Sequence, residues 1–276
     1  MAIAFNPLHP VFAAECVGMD IRTDLTPEQA AAIDAGMDRY AVLVFRRDAP
    51  LETERQVTFT KYFGDLEPPY QQIVSPEGIR LAHPNLIDIS NLGPGGQMLD
   101  RDDRRRQFNL GNQLWHSDSS YKVIPARYSL LHAHVVPPEG GDTQFADMRA
   151  AYDMLPARTK TLIEDLVCQH SRIFSKGALG FPFTEDERVA FAPVRQRLVR
   201  THRKTGRQSL YLSSHGARIE WSWSGCLGSP APRRRGRLAG SSPVRNWPLE
   251  SATPASRTRA SRSGEFHGLQ FLTLRL

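Results

Sequence analysis

Cysteine is scarce in this chain: Cys16, Cys168 and Cys226 are the only three in 276 residues. Their wide spacing provides neither a disulfide framework nor a Cys-x-x-Cys zinc site, so buried free thiols in a reducing compartment are expected. Long apolar runs are absent too. No stretch approaches the roughly 20 apolar residues that span a bilayer. Met1-Ala-Ile-Ala-Phe-Asn-Pro7 also lacks the charged n-region and apolar run of a secretory signal. These absences point to a soluble, cytoplasmic protein without a membrane partner. Net charge is missing from most of the chain as well. The formal +6 invites a nucleic-acid reading, but residues 221–276 hold nine Arg, no Lys and two acidic residues, Glu250 and Glu265. The first 220 residues are left with 26 basic and 27 acidic groups, a balance of −1. The body is a near-neutral globule, which argues against a nucleic-acid partner.

The segment 221–276 is defined by further absences. It has no Asp, Lys, Ile or Tyr, and Val244 is its single valine. Pro232-Arg-Arg-Arg-Gly-Arg237 and Thr258-Arg-Ala-Ser-Arg-Ser-Gly264 follow neither a helical nor a strand period. Such a composition offers little apolar surface to offset the entropy of ordering it. Two explanations stand: a disordered basic tail able to meet a polyanion, or a reading frame displaced just after Glu220. Out-of-frame GC-rich codons produce this Arg/Pro/Ala/Gly/Ser mixture. The chain therefore divides into a body, 1–220, and a tail, 221–276.

Within the body, Val11 to Ile21 reads as a first strand. Thr26-Pro27-Glu28-Gln29 is a capping box with Pro at the first helical position, opening a helix to about Tyr40. Ala41 to Arg46 is a continuous apolar run, a buried strand. Thr53-x-x-Gln56 repeats the capping signature for a helix to Phe63, with Gly64 as its stop. Pro68-Pro69 and Gly93-Pro94-Gly95-Gly96 break the chain around a strand at Leu86–Ser90. Arg101-Asp-Asp-Arg-Arg-Arg106 is a charge run that reads as a solvated loop, or alternatively as a lid attracting an anion. Ala126 to Val136 alternates as a long strand cut by Pro137-Pro138. Thr143 begins a short strand, Asp147 caps a helix to about Leu155, and a second helical stretch runs from Ala157 to about Cys168. Leu198–His202 and Ser209–Leu212 form a hairpin. Periodicity alone gives a β-rich α+β protein.

Chemistry concentrates in Trp115-His116-Ser117-Asp118-Ser119-Ser120-Tyr121 and Gly140-Gly141-Asp142-Thr143. In extended chain His116 and Asp118 would point to one side. A neutral imidazole beside a hard carboxylate suits a divalent transition metal and supplies two of the three ligands of a facial iron(II) site. Ser117 has no base and orienter beside it, which leaves a nucleophilic hydrolase without support.

The stretches Leu114-Trp-His-Ser-Asp-Ser-Ser-Tyr121, Pro125-Ala-Arg-Tyr-Ser-Leu-Leu131 and Gly140-Gly-Asp-Thr-Gln-Phe-Ala-Asp-Met-Arg-Ala-Ala-Tyr152 resemble, in order and spacing, the taurine/2,4-dichlorophenoxyacetate dioxygenase family, the phenoxyacetate branch above all. The resemblance covers about residues 8–220. It implies a double-stranded β-helix (jelly roll) with flanking helices, incomplete at its C-terminal end. It implies iron(II) held by His116 and Asp118, and 2-oxoglutarate as co-substrate with a carboxylate on Thr143. His202 and His215 fall where the family places the far wall of the substrate pocket, and Trp115 packs behind the metal ligands. The implied reaction consumes O2 and 2-oxoglutarate, releases succinate and CO2, and hydroxylates a small carboxylate. For an aryloxyalkanoate, the product collapses to a phenol and a 2-oxoacid. Taurine or another sulfonate is the alternative substrate. Asn109, Asn112 and Lys122 are polar neighbours without an assigned role.

The resemblance stops within Tyr211-Leu-Ser-Ser-His-Gly-Ala-Arg-Ile219. In the family, later strands supply the second histidine ligand and an arginine for 2-oxoglutarate. His267, in Glu265-Phe-His-Gly-Leu269, and Arg275 lack that context, so neither role is transferred. A catalytically inactive remnant is thus the competing expectation, and incomplete sheet edges leave self-association into a homo-oligomer open. The encoding DNA tests the displaced frame: one of the two other frames after codon 220 is expected to encode an apolar, strand-forming sequence. Two unpatterned frames would remove the idea.

Overall fold

The computed structural model describes residues 2–67, 83, 85–135 and 139–221, with the backbone of 258–259 and 267–272. Pro68-Pro69, Pro137-Pro138, Cys226 and Pro232–Arg237 lie outside the described residues. The chain opens with β1 (Ala4–Pro7) antiparallel to β2 (Ala14–Val17). Only β2 is foreseen from sequence, and it is shorter than the expected Val11–Ile21; β1 is mostly exposed and carries no alternation to read.

Helix α1 (Pro27–Tyr40) starts as its residues dictate. Thr26 accepts from the Gln29 N–H, the Gln29 side chain accepts from the Thr26 N–H, and Pro27 needs no partner in the first turn. Ile33, Gly36 and Met37 form its buried face. The next strand, β3 (Val42–Arg47), buries Val42 through Phe45 without a break. Helix α2 (Thr53–Lys61) departs from expectation: Thr53 lies inside it, and the N-cap is Glu52, which makes no side-chain cap. Ile21, Ile33, Met37, Leu43, Phe45 and Phe59 from these elements pack into the main core.

Residues 86–90, expected as a strand, are irregular, and an isolated bridge joins Leu92 to Met98. The charge run beyond them is an exposed turn at 101–102 that leads into a short helix. Asp103 caps α3 (Arg104–Asn109), followed by a 3-10 turn at Leu110–Gln113. Arg104 is bound to Glu187 at 2.5 Å and to the Pro182 carbonyl at 2.9 Å, and Arg106 to the Leu99 carbonyl at 2.9 Å. Phe108 of α3 packs on Phe181, Phe183 and Phe191. Arg104 and Arg106 of the run dock the helix.

Strand β4 (Ser129–His132) is shorter than the alternation suggests, and β5 (Gln144–Phe145) begins one residue after Thr143. Asp147 caps α4 (Met148–Asp153) as expected. Helix α5 (Ala157–Ile163) ends early, because Leu166–His170 is not helix but strand β6. Cys168 and His170 alternate inward there, and β6 is paired on both sides, so tertiary pairing overrides the local helical signal. Then come α6 (Arg172–Gly177), α7 (Glu185–Ala190), β7 (Val194–Arg197), the expected hairpin β8 (Val199–Thr201) and β9 (Gln208–Leu210), and β10 (Gly216–Trp221). The backbone of the tail adds β11 (Thr258–Arg259) and β12 (His267–Leu272).

Among the described residues the strands form four small sheets: β1-β2-β3-β12-β4, β10-β6-β7, β11-β5 and β8-β9. The α+β class is as expected from sequence. No helix among the described residues is long and apolar enough to cross a membrane. Cys16 and Cys168 are buried free thiols.

His170 is fully buried in β6, stacked on Tyr211 at 5.0 Å, with its Nε2–H donated to the Tyr211 carbonyl at 3.1 Å. Burial, with Arg200 nearby, pulls its pKa down to about 4. The unfolded chain takes up this proton near 6.5 and the folded chain does not. Stability therefore falls as pH drops below 6.5, by at most about 1.4 kcal/mol per pH unit from this group, and levels off below about 4. Urea unfolding from pH 7 to 5 checks this: His170→Gln is expected to flatten the slope.

Candidate metal centre

The His116–Asp118 motif is not on a strand. The 3-10 turn delivers Leu114 and His116 into an irregular stretch, and a turn begins at Asp118. Ser119 takes a left-handed backbone, φ 55°, which reverses the chain just after the carboxylate. Side-chain alternation therefore gives the correct neighbours on the wrong backbone. Ser119 Oγ donates to Glu67 at 2.8 and 3.0 Å, and Glu67 also pairs with Lys122. From β7, Gln196 Nε2 donates to the Lys122 carbonyl at 2.8 Å. On the other side, the Ser214 N–H reaches the Trp115 carbonyl at 2.8 Å.

His116 Nδ1 lies 2.7 Å from the Leu114 carbonyl. A carbonyl can only accept, so Nδ1 carries a hydrogen and Nε2 is the nitrogen turned to Asp118. Nε2 stands 3.2 Å from Asp118 Oδ1. Burial opposes a charged His116, but the hydrogen bond and charge of Asp118, with the Leu114 carbonyl, outweigh it and raise its pKa. Burial pushes the Asp118 carboxyl upward, and His116, Ser129 and Arg172 together bring it below the ordinary range. Both shifts favour a charged His116 beside an ionised Asp118. Replacing the shared proton by a divalent cation leaves both donors where they are, so the pair fits two positions of a metal site.

No group of three His, Cys, Asp or Glu able to hold a metal is formed among the described residues. His215 comes nearest in role. Its ring is 5.8 Å from that of His116 and 5.1 Å from that of Tyr121, edge to face. Its Nδ1 is 2.8 Å from Ser175 Oγ, and the Ser171 N–H donates to its carbonyl at 2.8 Å. Burial, with His116, Arg172 and Lys176 close by, pulls its pKa down to about 3, so it stays neutral.

Among the described residues neither His202 nor Thr143 makes a hydrogen bond or ion pair to His116 or Asp118. His202 sits in the β8–β9 hairpin, bonded to Thr205 at 3.0 Å and facing Asp38 of α1 at 3.4 Å. Thr143 is half-buried just before β5, and its side chain makes no hydrogen bond among the described residues. Trp115 is partly exposed. Sequence reasoning passes over Arg172, Ser175 and Lys176, which α6 brings beside His215; their one signal is the i, i+3, i+4 spacing behind the Ser171 cap. In the metal-free protein the His116 imidazole is expected to titrate above 6.5 by NMR, and Asp118→Asn to bring it down. An unmoved resonance would break the pair.

The model of the taurine catabolism dioxygenase TauD, TfdA family matches residues 4–233. An alpha-ketoglutarate-dependent 2,4-dichlorophenoxyacetate dioxygenase of Cupriavidus pinatubonensis is 42% identical over 221 residues, 80% of this chain and 76% of that protein. An (S)-phenoxypropionate/alpha-ketoglutarate-dioxygenase of Sphingobium herbicidovorans is 35% identical, over 79% of this chain and 74% of its own. The crystal structure of AAD-2 in complex with Mn(II) and N-oxalylglycine aligns with TM-score 0.77 and 40% identity, covering 99% of this chain and 88% of that one. With the His116–Asp118 pair inside the matched stretch, the chain belongs to the TauD/TfdA dioxygenase family.

Proposed function

We propose that the chain is an iron(II)- and 2-oxoglutarate-dependent dioxygenase that hydroxylates an aryloxyalkanoate such as 2,4-dichlorophenoxyacetate. The observation that carries this is the fixed tautomer of His116, whose Nε2 faces Asp118 in a member of this family. His116 and Asp118 hold the metal. Thr143 receives a carboxylate of 2-oxoglutarate, a role that rests on the resemblance. Bound iron, with 2-oxoglutarate and O2, supplies the oxidant for a substrate C–H bond and leaves succinate and CO2. On the carbon beside the ether oxygen, the new hydroxyl makes a hemiacetal that breaks to a phenol and a 2-oxoacid.

The chain's residues do the placing. The Leu114 carbonyl holds the His116 ring, and the turn at Ser119 holds Asp118. Neutral His215, at edge-to-face distance, lines the substrate side without adding charge. His202, which faces Asp38 at 3.4 Å, keeps its place as a substrate contact on the resemblance alone. The jelly roll belongs to the body; the family match runs on to residue 233, and the rest of the tail leaves the third metal ligand unassigned. We read the protein as cytoplasmic, its two described cysteines being free thiols.

Anaerobic titration with iron(II) and 2-oxoglutarate tests the reading through the visible charge-transfer band of the chelate. A band saturating at one equivalent is expected, followed by phenol release from 2,4-dichlorophenoxyacetate in air. A band only in a frame-restored chain would make this chain an inactive remnant. No band in either would sink the iron and 2-oxoglutarate assignment, and turnover of taurine alone would move the substrate to the sulfonates.

A further inference from the structure

Helix α6 buries three polar side chains on one face: Arg172, Ser175 and Lys176. Ser175 touches His215. The Arg172 guanidinium lies 4.0 Å over the ring of Tyr121, itself against His215. Lys176 is 4% exposed; its Nζ donates to the Phe108 carbonyl at 2.5 Å and sits 3.9 Å from the centre of the Phe108 ring. Gly111 makes room for it, because a Cβ there would run into Nζ. The turn that leads to Trp115 and His116 thus meets a buried lysine at Phe108 and Gly111.

Both cations act on the metal pair. The charge of Lys176 reaches His116 and His215, and that of Arg172 reaches Asp118 and His215. Among the described residues no carboxylate pairs with Lys176. Burial, then Arg172, pull its ammonium down to about 7. A buried cation without a counter-ion opposes folding, and a second cation one turn away adds to that. An anion placed between them relieves both penalties. A metal ion would raise the positive excess further.

We propose that Arg172 and Lys176 form a carboxylate-recognition wall of this site, bringing an anionic ligand alongside His215 and the His116–Asp118 pair. This rests on the dioxygenase reading, which offers two carboxylate sources, the aryloxyacetate and 2-oxoglutarate. Because Lys176 serves a ligand, its removal leaves the fold intact. The Phe108 carbonyl retains the Leu110 N–H as a donor, and methionine fills the lysine's apolar stem.

The test is anaerobic calorimetry with Mn(II) present, on the full chain and on Lys176→Met and Lys176→Arg. The probes are 2,4-dichlorophenoxyacetate, its uncharged amide and 2-oxoglutarate. Lys176→Met is expected to weaken one carboxylate 10- to 100-fold, roughly the loss of one charge-assisted bond. It should leave the amide and the melting temperature unchanged, or raise the latter, and Lys176→Arg should restore part of the affinity. Loss confined to the aryloxyacetate assigns the wall to substrate; loss confined to 2-oxoglutarate assigns it to co-substrate. Unchanged affinity for both acids overturns the wall while the dioxygenase reading stands, and so does equal loss of the amide with a lowered melting temperature. A parent chain that binds none of the three overturns both.

Discussion

The structure depends on a hydrogen bond two residues long. By giving its Nδ1–H to the Leu114 carbonyl, His116 fixes its tautomer and aims Nε2 at Asp118. Neither residue has regular secondary structure to hold it, so the surroundings must. The left-handed turn at Ser119 costs roughly 1–2 kcal/mol for a residue with a side chain. The Ser119 hydroxyl on the Glu67 carboxylate offsets it, since a bond to a charged group contributes about 1.5–3 kcal/mol. Gln196 from β7 and Ser214 before β10 hold the two ends. Elements far apart in sequence therefore converge on five residues, and the site is as ordered as their packing allows.

Charge is arranged to the same end. Near one carboxylate, Asp118, stand His116 and Arg172, with Lys176 close to His116, while burial keeps His215 neutral. A neutral imidazole can contact an anionic ligand or an ether without adding to a positive excess. Folding alone favours none of this, because buried cations are retained against their desolvation. Such unfavourable electrostatics beside the His116–Asp118 pair mark a place where a ligand would complete the balance.

Much of this was legible from residues, and the failures are physical. Helix α1 was readable because its capping box and Pro27 act locally. Strand β3 was readable because four successive buried apolar residues admit few alternatives. The His116–Asp118 pair was found by composition and order, but its backbone was not: a left-handed serine has no sequence signature comparable to glycine's. Strand β6 was read as the end of a helix because its strand state comes from β7 and β10 on either side, and such pairing is invisible to a local window. Helix α6 was missed for its length: six residues give less than two turns of period, and a buried Lys or Arg looks like a solvated one.

The tail poses the sharpest conflict between composition and topology. β3 and β4 do not pair with each other; each pairs antiparallel with β12, His267–Leu272. Two strand spacings, roughly 10 Å, separate them, and only another strand can satisfy the hydrogen-bonding groups that face that gap. The fold therefore demands a strand where the sequence has stopped resembling the family. Backbone pairing is nearly indifferent to side chains, so a six-residue stretch of almost any composition can satisfy the ladder. Metal ligation is not indifferent: it needs a particular donor at a particular register position. A displaced reading frame would thus damage the chemistry before the sheet. The His116–Asp118 pair and the cationic wall of α6, both upstream of the change in composition, would remain assembled whether or not a third ligand is available to them.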